Sequence, residues 1–102
     1  MSASLDRLSF HILNTMADDW ESLEQIAPHV MEFSGIGNTS QIACVIVDLV
    51  SEGLLVEMKH VSLTPEMIVQ TPIEYWFRMT PRGRALWEAE SRNFDASEQQ
   101  TT

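Results

Sequence analysis

With a single cysteine, Cys44, the chain cannot form an internal disulfide, and one thiol with no cysteine neighbours is a poor start for a metal site. The fold therefore has to hold by packing. No apolar run approaches the roughly 18 residues of a membrane-spanning helix, and "MSASLDRLSF" lacks the basic-then-apolar pattern of a secretion signal. These two absences predict a cytoplasmic protein. Positive charge is also scarce: six lysines and arginines stand against fifteen acids, for a net charge of −9. Within 1–57 the one cation is Arg7, against nine acids, whereas 58–102 holds five cations and six acids. Affinity for nucleic acid comes mainly from cations that replace condensed counterions, so the acidic first half repels a duplex.

Signatures of catalysis are missing too. "SGIGNTS" has neither the lysine nor the flanking strand of a phosphate-binding loop, and no glycine-rich dinucleotide fingerprint occurs. No serine or cysteine stands in a plausible order with histidine and carboxylate. His11, His29 and His60 fall in separate segments without metal-ligand spacing, and Asp18, Asp19 and Glu21 read as a solvated acidic turn. Cys44 has no cation near it in sequence to lower its pKa, so it reads as an inert, half-buried side chain and not a redox sensor. These features predict a binding protein that is not an enzyme and uses no cofactor or metal.

What is present suits one small domain: 102 residues, 44% apolar, with no repeat and no low-complexity linker. Ser4 precedes a helix whose Leu5, Leu8, Ile12, Leu13 and Met16 share one face at three- and four-residue spacing. Trp20 follows in a short extended segment that can pair as a one-rung strand. Ser22 caps a second helix, with Glu24 or Gln25 able to reach back and Leu23, Ile26, Ala27 and Val30 facing inward. Pro28 disrupts that helix, predicting that it starts late, is short, or kinks.

After the turn "SGIGNTS" a third helix runs from about Ser40 to Glu52, with Ile42, Val45, Ile46, Leu49 and Val50 on its core side and Gly53 as a left-handed cap. Two strands follow. In "LLVEMKHVSL", Val56 and Met58 are expected on one side and Glu57 and Lys59 on the other; in "EYWFRMT", Tyr75, Phe77 and Met79 oppose Trp76 and Arg78. The connection from Lys59 to Glu74 is long for a hairpin and reads as an extended, mobile wing. Thr80-Pro81 then starts a fourth helix expected to bury Ala85, Leu86 and Trp87 or Ala89, with Gly83 weakening its start. Residues 1–4 read as an N-terminal arm, 5–92 as the domain, and 93–102 as a disordered polar tail.

The order helix, short strand, helix, turn, helix, strand, wing, strand, helix resembles a winged helix-turn-helix domain. "VIVDLVSEGLLVEM" is similar to the exit of the recognition helix into the wing in such regulators. "YWFRMTPRGRALWEAE" is similar to the second wing strand and next helix of MarR-like and PadR-like transcription regulators, with Tyr75, Thr80, Gly83 and Leu86 at the places of their "Y…LT..G..L" pattern. The resemblance spans roughly 5–91 and implies an α+β winged helix-turn-helix: a three-helix core, a two- or three-stranded wing sheet and a C-terminal fourth helix.

The same resemblance implies DNA binding for transcription regulation, as a dimer. The third helix would enter the major groove with Thr39, Ser40, Gln41, Cys44, Val47 and Asp48 facing it, and the wing would hold phosphate. Gln41 can pair with adenine and Ser40 with base or phosphate, but this helix has no cation to clamp phosphate. Contact with phosphate then rests on Lys59, His60, Arg78, Arg82 and Arg84, on the wing and the start of the fourth helix. The charge pattern implies an alternative, a protein-interaction module in which the acidic, apolar third helix docks on a partner or on its own copy. Val47 and Asp48 would lie in that interface, with Trp76 as an exposed anchor. A rarer alternative is a domain whose acidic face imitates DNA.

Overall fold

A computed structural model of the chain describes residues 6–17, 19–35 and 37–100. Among these it is an α+β structure of five helices and a small antiparallel sheet: α1 (Arg7–Thr15), β1 (Glu21–Ser22), α2 (Leu23–Ser34), α3 (Thr39–Ser51), β2 (Leu55–Glu57), α4 (Pro65–Gln70), β3 (Trp76–Met79) and α5 (Pro81–Gln100). The strands lie in the order β1-β3-β2, each pair antiparallel, with Glu21 opposite Phe77 and Leu55 opposite Met79.

The predicted stripes close the core. Leu8, Ile12, Leu13 and Met16 meet Leu23, Ile26, Ala27 and Val30, and both sets meet Ile42, Ala43, Ile46 and Leu49 of α3. Phe77, fully buried on the middle strand, joins Leu55 and Met79 in facing the helices. Helix ends are set by local chemistry. The α1 cap is Asp6, whose Oδ1 accepts from the Ser9 amide at 2.7 Å; Ser4 and Leu5, expected at this end, lie outside the described residues. Gln25 reaches back to accept from the Ser22 amide at 3.1 Å, the reciprocal half of a capping box.

Several expectations need correction. Pro28 sits inside α2, which nonetheless begins at Leu23 and runs twelve residues. Pro28 and Glu24, the residue whose carbonyl loses its partner, are both exposed, so water can satisfy the bond that proline deletes. The short strand falls at Glu21–Ser22, one residue beyond Trp20. On β2 the expected sides are reversed: Glu57 is 2% exposed and Met58 48%. Glu57 shares the inward side with Leu55 because they pair across the sheet with Phe77 and Met79; its Oε1 accepts from the Lys59 amide at 3.0 Å, while its Oε2 is buried without a partner among the described residues. Ala85, expected inside, is exposed, while Leu86, Trp87 and Ala89 are half-buried.

The largest correction concerns the connection between β2 and β3. It is not an extended wing, since α4 forms within it: Thr64 caps the helix by accepting from the Met67 amide at 3.3 Å, Pro65 takes the first helical position, and Ile68 is fully buried. The polar end also differs from expectation. Helical backbone continues to Gln100, through 93–100 of the segment read as a disordered tail; extending an existing helix through Ala, Glu and Gln costs little. Residues 1–4 lie outside the described residues.

Thr80 and Gly83 fix α5 against the sheet. The Thr80 hydroxyl donates to the Gly53 carbonyl at 2.6 Å and accepts from the Gly83 amide at 3.0 Å, while the Thr80 amide donates to the Leu54 carbonyl at 3.1 Å. A Cβ at Gly83 would lie 2.0 Å from the Leu54 carbonyl oxygen. Gly83 is therefore the residue that lets α5 approach the exit of α3, a role its low helix propensity conceals.

Candidate functional site

Asn38 caps α3, which starts at Thr39, one residue before the expected Ser40; its Oδ1 accepts from the Gln41 amide at 2.9 Å. Thr39, Ser40, Gln41, Cys44 and Asp48 are all exposed, so the face assigned to partner contact is on the surface. Val47 is half-buried and packs against the core. Cys44 is exposed, where a half-buried side chain was expected.

The site also contains residues that sequence reasoning missed. Ser40 and Cys44 face Pro65, Glu66, Val69 and Gln70 of α4 across a groove of about 230 Å³ that is mostly apolar. The signal was available in "LTPEM", where a capping threonine precedes proline at the first helical position and an acid in the first turn. One exposed acid, Glu66, lines the groove; a second, Asp48, is exposed one helical turn beyond Cys44 on α3, and neither α3 nor α4 contains a lysine, arginine or histidine.

Of the five candidate phosphate-binding residues, Lys59, Arg78 and Arg84 are engaged with other parts of the fold. Lys59 forms an ion pair with Glu74 at 2.6 Å and lies 5.6 Å from the Tyr75 ring centroid. The hydrogen bond from Lys59 to Glu74 pushes its pKa upward, with the charge of that carboxylate adding to the effect. Arg78 stacks 6.0 Å from the ring centroid of Trp20 on the outer side of the sheet. The Arg84 guanidinium donates to the Ala17 carbonyl and lies 6.0 Å from the Trp87 ring centroid. Arg82 lies against Gly53, its Nη1 3.8 Å from where a Cβ there would be. That position is beyond the C-terminal end of α3, about 20 Å along the helix from Thr39 by its rise per residue, where a cation suits the helix dipole. His60 is exposed with φ 57°, in the left-handed region.

Trp76, the suggested anchor, is half-buried, and its indole N–H donates to the Ile73 carbonyl at 3.0 Å. Met58 donates its amide to the Trp76 carbonyl at 2.9 Å, and Ile73 is 60% exposed. Met58 and Ile73 therefore present apolar surface here. Among the described residues no helix is long and apolar enough to cross a membrane. Compared with protein-family profiles, curated proteins and solved structures, the chain matches none of them.

Proposed function

We propose that the chain is a winged-helix domain that acts as a protein-interaction module, with α3 and α4 together docking a basic segment of a partner polypeptide. The fold part of this reading is supported by the element order, by the strand order β1-β3-β2, and by the contacts that explain "Y…LT..G..L": Thr80 ties the two strands' ends together and Gly83 admits the Leu54 backbone.

The observation that carries the functional part is α4 beside the reading face of α3. A major groove about 12 Å wide admits one helix. Two packed helices, each about 10 Å or more across, are too broad to enter it side by side. What they offer is a furrow with apolar walls and acidic borders. An apolar side chain seated between Cys44 and Val69 would be desolvated, while lysine or arginine flanking it would meet Asp48 and Glu66. The domain's net charge of −9 draws such a partner from a distance.

The second reading is a DNA-binding regulator, dimeric on its operator. The exposure of Thr39, Ser40 and Gln41 at the first turn of α3 favours it, with phosphate contact left to Lys59, His60, Arg78, Arg82 and Arg84.

Selection from a random peptide library displayed on phage tests the first reading. Enriched peptides are expected to share an apolar anchor flanked by lysine or arginine and to lose at least about tenfold in affinity to a Val69→Lys variant, which removes the apolar wall and sets like charge against the peptide's cations, at a cost of about 1.4 kcal/mol or more. Enrichment of acidic peptides, or binding unchanged by Val69→Lys, would contradict it.

A further inference from the structure

We propose that a second, polar cavity, between α1, β1 and α2, binds a small amine that also carries carboxylate or hydroxyl oxygens, a molecule of amino-acid size. The cavity measures about 210 Å³ and is lined by His11, Asn14, Thr15, Glu21, Gln25 and His29, with Val30 as its apolar wall. Sites for drug-sized ligands span roughly 300–1,000 Å³, so this one suits a smaller molecule.

The polar residues form two facing rows. His11, Asn14 and Thr15 lie at i, i+3 and i+4 on α1, while Gln25 and His29 lie at i and i+4 on α2. The two carboxamides are held by bonds to their oxygens. Asn14 Oδ1 accepts from the Trp87 indole at 3.2 Å, and Gln25 Oε1 accepts from the Ser22 amide at 3.1 Å. Each side chain therefore keeps its NH₂ group for another acceptor, one on each wall. Thr15 has spent its proton on the Ile12 carbonyl at 2.7 Å, leaving its oxygen to accept.

Charge selects the rest of the ligand. Glu21 supplies the one carboxylate of the lining, and no lysine or arginine lines the cavity. Burial, and then the nearby Arg7, push the pKa of His11 below its ordinary 6.5, so that imidazole is neutral at pH 7. Glu21 therefore favours a cation, and the Asn14 and Gln25 donors favour oxygen acceptors carried by the same molecule. Among the described residues no group of three or more His, Cys, Asp or Glu side chains is placed to hold a metal ion, so an organic cation is the one that fits. Occupancy would reach α5 directly, because Asn14 joins the cavity wall to Trp87.

Calorimetric titration of the full chain tests this, using the twenty common α-amino acids, ethanolamine, and the N-acetyl forms of any that bind. At least one free amine is expected to bind with a dissociation constant of about 1 mM or tighter. N-acetylation and Glu21→Gln should each weaken binding at least about tenfold, since each removes the ionic contact. Asn14→Leu, which removes the carboxamide donor without adding charge, should weaken it as well. Binding of amino acids without ethanolamine would identify a carboxylate as the acceptor, and binding of both would identify any small oxygen. No heat from any member at tens of millimolar, or binding unaffected by Glu21→Gln and Asn14→Leu in folded protein, would overturn the proposal.

Discussion

Gly83 shows how a single position can mean more than its propensity. By sequence it weakens a helix start, yet in the fold a Cβ there would overlap the Leu54 carbonyl, backbone against backbone. Neither group is the end of a flexible side chain, so the strain has nowhere to relax. Gly83→Ala is predicted to cost about 3 kcal/mol or more, read as a fall in the urea midpoint at constant slope. A neutral or stabilising result would mean that α5 does not approach Leu54 as described. The cations teach a related lesson. Lys59, Arg78, Arg82 and Arg84 were identifiable from sequence as the concentrated positive charge, but their contacts were not. Glu74 is fifteen residues from Lys59 and Ala17 sixty-seven from Arg84, separations that no local pattern encodes.

At the level of elements, long periodic segments were the legible ones. α1, α2 and α3 buried the faces their spacing predicted, and β3 alternated as expected, because a stripe of four or five apolar positions overdetermines which side turns inward. β2 has three residues, too few for alternation to decide, and there the pairing of Leu55 and Glu57 with the inward Met79 and Phe77 sets the phase. α4 was missed for the same reason: six residues make less than two turns, so only its cap could announce it. Its stability rests on Ile68, which is fully buried. Ile68→Ala is predicted to destabilise the domain by about 2–5 kcal/mol. In the native chain the Ile68 and Thr71 amides, which donate to the Thr64 and Met67 carbonyls, should resist hydrogen exchange. Exchange at the rate of an unstructured chain would restore the mobile wing and remove the groove with it.

Across the whole molecule, charge and shape point the same way. The surface placed like a DNA reader carries Ser40, Gln41, Cys44 and Asp48, has a second helix beside it, and lies far from Arg82 along α3. The cations that remain serve the fold: Lys59 pairs with Glu74, Arg78 covers Trp20, and Arg84 closes the gap between α5 and the end of α1. From sequence, the candidate site was half visible. The face of α3 could be named, while its α4 wall showed only in the cap of "LTPEM", and it is that wall on which the proposal of a polypeptide partner rests. Fluorescence anisotropy with a random-sequence duplex, at low and moderate salt, tests that choice most directly, with native chain beside a variant changed to alanine at Arg78, Arg82 and Arg84. The account predicts no saturable binding by either protein even at low salt, since an acidic surface without clustered cations releases few counterions. Salt-sensitive binding by the native chain that the triple change abolishes would contradict it and make the domain a DNA-binding regulator that works through its wing.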